Sequence, residues 1–307
     1  MTTRCFTRVA LALPFVFGSA ATITLFGATA LAQKPAPAPA AAEVPDPPAT
    51  AGQPVTRSVT LLDGQPASPT NIPFRDGESL TFTATWTGIS VGDATMTVDT
   101  GGTFEGKPAI HLKASASSGR AFSLFFSIKD AGESWVDPEG LYSLGFVSDQ
   151  KEGSIEDYQK WIMDYDKNVS TRHRARRKDG GEVKNSTKDY ALSRTHVQDG
   201  FSMSYFFRAF PLKVGSKLES DVFVSKKVWN LTVDVLSQEK VKVPAGTFDC
   251  LKVKPTVSLN GEKQNKGQMT IWVTNDERKM PVKIQSDLPL GKVNAVLTKF
   301  KEGKKPE

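Results

Sequence analysis

A mainly β fold is predicted: a strongly curved antiparallel sheet or barrel, with one short helix covering its mouth or concave face. Three observations predict it. Apolar residues recur with a period of two along most of the chain, as in strands with one buried face. Glycine, proline and Asp-Gly or Asn-Gly steps punctuate these runs as turns. One segment alone, Asp199–Phe210, changes to helical spacing. Strands and helices do not alternate, which argues against a doubly wound or (β/α)8 architecture.

The elements follow in order. In Ser79–Thr87 (SLTFTATWT), Leu80, Phe82, Ala84 and Trp86 share one face and hydroxyl residues the other. Gly88 and Gly92 bracket a turn, after which Ala94, Met96 and Val98 alternate again to complete a hairpin. Gly101-Gly102 marks the next reversal, before Ile110, Leu112, Ala114 and Ala116. Further strands are read at Trp161–Tyr165, Leu218–Val224, Trp229–Val235, Cys250–Val253, Met269–Val273 and Val293–Leu297, for about ten to twelve in all. Turns are expected at Asp137-Pro138, Asp179-Gly180-Gly181, Pro244 to Gly246, Asn260-Gly261 and Leu290-Gly291, and Pro281 is expected to open an edge strand. The helical segment starts at a capping residue, Asp199, and stops before Pro211; Met203, Phe206, Phe207 and Phe210 fall on one face.

The sheet occupies only part of the 307 residues. Residues 1–32 have the layout of a secretory signal peptide: Arg4 and Arg8, an apolar run from Val9 to Leu31, then Ala30-Leu31-Ala32 as a small-x-small cleavage site. An uncleaved membrane anchor is the competing reading, because the run is long enough to span a bilayer. Residues 33–71 are read as a Pro/Ala-rich disordered linker and lead-in segment, too poor in large apolar residues to offset the entropy of ordering. A single β-rich domain is expected over 72–301 and a disordered basic tail over 302–307. The net charge is +6, and the expected cleavage lowers it to +4 by removing two arginines. Two cysteines exclude a disulfide scaffold, and Cys250 reads as a buried strand residue.

Several segments together resemble the bacterial domain-of-unknown-function family 3108. They are FRDGESLTFTATWTGISVGDATM from Phe74, KDAGESWVD over Lys129–Asp137, and VQDGFSMSYFFRAFPLKVG over Val197–Gly215. VPAGTFDCLKVKP over Val243–Pro255 and IWVTNDERKMPVKI over Ile271–Ile284 complete the set, so the resemblance runs from Phe74 to Phe300. It implies an exported envelope protein and transfers no catalytic residue, since the family has no assigned chemistry. The expected architecture is also similar to half-barrels that carry lipids or lipoproteins across the periplasm, a likeness of shape alone.

Catalytic patterns are sparse. Gly200-Phe201-Ser202-Met203-Ser204 lacks the second glycine of a nucleophile elbow, and the neighbours His196, Asp199 and Ser202 are better explained by capping. His111, His173 and His196 lack metal-ligand spacing, and no phosphate or dinucleotide fingerprint occurs. Catalytic residues, metals and cofactors are therefore expected to be none.

Two groups of candidate ligand-binding residues remain. Met203, Phe206, Phe207 and Phe210 can plug a barrel mouth or line an apolar pocket. Arg172, Arg174 and Arg176 share a face if RHRARRK is a strand, and their forked guanidinium groups suit phosphate or carboxylate. The plainer reading of that run is a charged, solvated edge strand. The expectation is a non-enzymatic periplasmic or envelope protein that binds a lipid or anionic glycan and no nucleic acid. Its alternatives are an envelope polysaccharide or lipid hydrolase using carboxylates that sequence cannot pair, and a structural partner of a membrane assembly.

Overall fold

The structure, a computed structural model, describes residues 59–60, 66–67, 72–125, 127–194, 196–259, 262–263, 268–288 and 291–304. The expected signal peptide, most of the linker, the Asn260-Gly261 turn, Leu290 and the last three residues lie outside the described residues. Two two-residue strands, β1 (Val59–Thr60) and β2 (Pro66–Ala67), pair with each other within the lead-in segment.

The main sheet has sixteen strands. Its first half contains β3 (Glu78–Trp86), β4 (Ile89–Phe104), β5 (Lys107–Ser118), β6 (Lys129–Val136) and β7 (Ser143–Glu152). β8 (Ile155–Asp164), β9 (Val169–Lys178) and β10 (Lys184–Ala191) follow, and β11 (Gln198–Asp199), next in the chain, lies at the opposite end of the sheet. Its second half contains β12 (Lys217–Val224), β13 (Lys227–Val243), β14 (Gly246–Leu259), β15 (Glu262–Lys263), β16 (Gln268–Thr274), β17 (Pro281–Leu288) and β18 (Gly291–Glu302). Strands β3 to β10 form an antiparallel meander, and β18 joins β3 to the second half. Among the described residues only β11 pairs in parallel, along β12, and β15 pairs on β14 beside the main path. The path is open: β10 ends it on one side and β11 on the other.

The mainly β, curved-sheet expectation holds, with differences that have local causes. β6, β7, β9 and β10 mix charged residues on both faces, which weakens the period-two signal and explains the undercount of strands. The arginine run is not on an edge: β9 lies between β8 and β10, and β10 is the edge. Pro281 does not open an edge strand either. β17 lies between β16 and β18, and Pro281 is tolerated there as its first residue, at the register shift opposite Val273.

Bulges give the sheet its curvature. Register shifts occur at Ala84/Thr85, Asp99/Gly102, Val235/Ser237 and Leu297/Lys299, each adding a residue to one strand and bending it. Gly92 sits beside one of them, where a Cβ would lie 2.1 Å from the carbonyl oxygen of Ser117. No other residue fits this close approach of β4 to β5.

The helical segment is shorter than its spacing suggests. Asp199 accepts hydrogen bonds from the backbone N–H of Phe201 (2.7 Å) and Ser202 (2.9 Å), closing a turn. One turn of α-helix over Met203–Phe206 and a 3-10 turn over Phe207–Ala209 follow. Phe210 is already extended, as the following Pro211 requires. A second single-turn helix, α1 (Arg120–Ser123), gave no periodic signal because one turn is too short to show one; the Met203–Phe206 helix is α2.

The α2 segment fills the concave side. Phe201, Tyr205, Phe206 and Phe210 pack in one cluster with Leu80 and Phe82 of β3, Leu112 of β5, Leu231 of β13 and Leu297 of β18. Side chains of this size each contribute about 1.5–3 kcal/mol when fully buried. Cys250 belongs to the same cluster, as expected, and burial pushes its thiol up to about 11.

Two polar contacts fasten the segment. Arg208 makes paired 2.8 Å bonds to both oxygens of Glu78 at the start of β3, and its Nε donates to the Arg278 carbonyl. Asp199 accepts a 2.5 Å bond from the Ser134 hydroxyl on β6. Complete burial pushes the Asp199 carboxyl above its ordinary range, and the surrounding donors oppose that shift.

Side-chain contacts and single backbone hydrogen bonds, not a strand ladder, link the two ends of the open sheet. A Trp161–Phe223 edge contact (5.3 Å) links β8 to β12, and the Ser143 N–H donates to the Val197 carbonyl. Gln198 Nε2 donates to the Leu141 carbonyl. At the β12–β13 tip, Ser225 and Lys226 both take positive φ, and the Lys226 ammonium lies 5.6 Å from the Tyr190 ring of β10. A tight hairpin turn of this hand carries the lysine across the seam.

Candidate functional site

Backbone register on β7 to β10 lays the concave wall out as a grid. One row is Phe146, Trp161, Arg172 and Lys188; the next is Ser148, Gln159, Arg174 and Ser186; the third is Gln150, Asp157, Arg176 and Lys184. Arg172, Arg174 and Arg176 therefore share a face, as their spacing predicts, but in three different environments.

Arg176 is exposed. Arg174, partly buried, grips Asp157 with two bonds, one of them 2.7 Å from Nε to Oδ1. Arg177, on the opposite face, pairs with Glu156. Arg172 is 5% exposed, and its guanidinium carbon lies 5.6 Å from the Trp161 ring and 5.4 Å from the Tyr190 ring. Among the described residues its Nε–H has no hydrogen-bond partner. Two residues earlier on the same face, the fully buried Ser170 hydroxyl also lacks one. Buried donors are nearly always satisfied. Among the described residues, two orphan donors thus sit at i and i+2 on one strand face, one of them against two aromatic rings.

A carboxyl pair stands beside the polar rows. Glu152, at the end of β7, hydrogen-bonds Asp130 at the start of β6, and Asp130 also accepts the Lys151 N–H at 3.0 Å. Burial first, then the neighbouring Asp130 charge, pushes Glu152 from its ordinary 4.5 to about 7; burial raises Asp130 as well. Two carboxyls in contact share a proton. A glycosidase needs its two carboxyls about 5–9.5 Å apart, with the scissile bond between them.

The pair has a measurable consequence for stability. The folded chain holds the Glu152 proton up to about 7, whereas the unfolded chain releases it near 4.5. Between these values the folded state binds more protons, so stability falls as pH rises through the window. Thermal melts across it are expected to show that decline, and Glu152→Gln is expected to flatten it; equal slopes in both proteins would refute the assignment.

The other predicted site residues are scattered. Phe206 and Phe210 are buried, their rings 4.9 Å apart, while Met203 and Phe207 are half-buried against the main cluster. His111 stacks on Trp135 and bonds Glu133 at 2.6 Å; burial lowers its pKa. His173 contacts Thr187 on the outer face, and His196 packs between Tyr142 and Tyr165. Ser202 donates to Gln198 Oε1 (2.8 Å), not to a histidine, in keeping with a turn-forming role. Among the described residues, no three His, Cys, Asp or Glu side chains converge to hold a metal ion. Sequence reasoning missed the Ser170 orphan and the Asp130–Glu152 pair, since both depend on strand register.

Comparison with known proteins places the chain in a family. The model of the family described as "Protein of unknown function (DUF3108)" matches residues 81–298, well over half the chain. The chain belongs to the DUF3108 family. No curated protein matches it. Among solved structures, the DUF3108 chain is similar to a β-barrel-like DUF1849 protein from Brucella abortus. That match has 9% identity and a TM-score of 0.49, over 74% of this chain and 98% of the other. A candidate exported protein with a YmcC-like fold from Bacteroides fragilis matches at 15% identity and a TM-score of 0.29, over 75% and 98%. A candidate lipoprotein from Parabacteroides distasonis matches at 13% and 0.28, over the same shares.

Proposed function

We propose that this protein is a non-enzymatic, exported component of the bacterial cell envelope that binds an acidic lipid or glycan on its concave wall. The carrying observation is a pair of buried, unsatisfied donors on one strand face: Ser170 Oγ, and Arg172 Nε, whose guanidinium lies against Trp161 and Tyr190. A phosphate or carboxylate can accept hydrogen bonds from both free donors. The stripe grades from exposed Arg176 through paired Arg174 to buried Arg172, which gives an anion a path inward. Half-buried Met203 and Phe207 are the members of the α2 face left able to touch an apolar chain. Export is read from the apolar run and Ala30-Leu31-Ala32 ahead of the domain, with the mature protein in the periplasm.

Arg172→Met tests this directly. Mass spectrometry of material extracted from the purified protein is expected to find an acidic lipid or glycan, depleted by about tenfold in the variant, or about 1.4 kcal/mol of binding. Stability is expected to stay level or rise, because a buried guanidinium with an unsatisfied N–H is exchanged for an apolar side chain of similar length. A wild-type protein free of acidic ligand, or equal loading of both proteins, would overturn the proposal.

A further inference from the structure

We infer that the ligand of the concave wall carries two anionic groups joined by a neutral polar spacer, as in a disaccharide headgroup with a phosphate at each end. The inference rests on reading Arg172 as an anion site and specifies what that site takes. Register fixes the spacing. Lys188 lies opposite Arg172 and Lys184 opposite Arg176, so two pairs of cations face the same side from adjacent strands about 5 Å apart. The two pairs are separated along β9 by the rise from Arg172 to Arg176, about 13 Å of extended chain. Midway, Arg174 lies opposite Ser186 and is already neutralised by Asp157. Arg176, Lys184 and Lys188 are exposed and, among the described residues, make no ion pair. The wall thus carries free charge at two points, with Ser148, Gln159 and Ser186 lining the neutral stretch between them.

The remaining charges favour a two-ended ligand over a uniform polyanion. A third anionic group placed midway would meet the Asp157 carboxylate, beside a guanidinium that is already engaged. Sugar hydroxyls suit that stretch, because serine hydroxyls and the Gln159 amide both donate and accept. Asp149, Glu156 and Asp189 alternate to the outer face, and the Asp130–Glu152 pair stands on β6 and β7, two strands or more from Arg176. Glu182, in the β9–β10 turn, makes no ion pair with Lys184 or Arg176. The two ends differ in kind. Arg172 and Ser170 offer buried donors to a group that sheds its water, whereas Arg176 and Lys184 offer charge screened by solvent.

The test is titration calorimetry of the full chain with a diglucosamine carrying a phosphate at each end, and with the same disaccharide carrying one phosphate. The bisphosphate is expected to bind at least about tenfold more tightly, because its second contact forms within a molecule already bound. Arg176→Gln with Lys184→Gln is expected to erase that ratio. Lys151→Gln with Arg177→Gln, which removes equal charge from the outer face, is expected to leave it in place. None of the four side chains is buried, so retained β-sheet circular dichroism accompanies both results. An acylated form of the bisphosphate, offered in detergent micelles, separates a lipid from a free glycan: the tighter binder names the source, and a preference for two phosphates in either form supports the inference. Equal affinity for one phosphate and two, a ratio that survives Arg176→Gln with Lys184→Gln, or no binding of the bisphosphate in either form would each overturn it. The reading of Arg172 as an anion site would outlive all of these results as long as Arg172→Met depletes the acidic ligand of the purified protein.

Discussion

Arg208→Met is expected to cost about 3–5 kcal/mol of folding stability, the penalty for leaving a buried charge without its partner. Both side chains of the pair are almost wholly out of solvent, at 3% for Arg208 and 4% for Glu78. The guanidinium also lies 5.5 Å from the Phe74 ring and 5.2 Å from Tyr205, so charge, hydrogen bonds and ring contacts are lost together. For a domain of this size the loss corresponds to a melting temperature lower by roughly 10 °C. The pair ties α2 to the first strand of the sheet, and the Arg278 carbonyl adds the β16–β17 turn. Arg208→Met combined with Glu78→Leu is expected to recover much of the loss, since an apolar pair of similar volume is often no less stable than a buried ion pair. Denaturant unfolding of the single and double variants measures both. A single variant within about 1 kcal/mol of wild type, the size of an exposed pair, would show that burial contributes nothing special here.

Trp161→Ala is expected to cost a similar amount, about 3–5 kcal/mol, but with a different pattern of damage. The Trp161 ring lies among Phe146 (5.6 Å), Tyr190 (5.3 Å) and Phe223 (5.3 Å), and it carries the β8–β12 contact across the seam. Its removal deletes core volume and also releases the two open ends of the sheet from each other. Phe82→Ala, a truncation of a fully buried ring in the middle of the sheet, serves as the comparison. Amide exchange in β9 and β10 is expected to accelerate selectively in Trp161→Ala, with Phe82→Ala showing a more even rise. Equal exchange patterns in the two variants would mean that the seam is held elsewhere.

Much of the sheet was legible in the sequence because its buried face is continuous. Leu80 and Phe82, then Ala94, Met96 and Val98, alternate in sequence and point to one core in space. Segments with charge on the buried face were harder to read. β9 has Arg172 and Arg174 where a core strand normally has valine or isoleucine, and only the register with Trp161 and Gln159 shows which way they face. The α2 segment was legible in position and not in length, because Asp199 closes a turn before the helix and Pro211 shortens its end. Glu78, Arg208 and Arg278 lie in three separate segments of the family resemblance and meet in one contact. The Asp130–Glu152 pair was not legible at all, since 22 positions of chain separate two groups that only the β6–β7 pairing brings together.

The pairing of β18 with β3 decides where the two ends of the domain lie. Glu302 lies opposite Glu78, so the chain arrives and departs side by side at one end of the sheet, next to the α2 segment. The connection that follows α1 is beside the other end of β3, nine residues or about 30 Å away. A tether on either terminus pulls on the same corner and leaves the opposite corner facing outward.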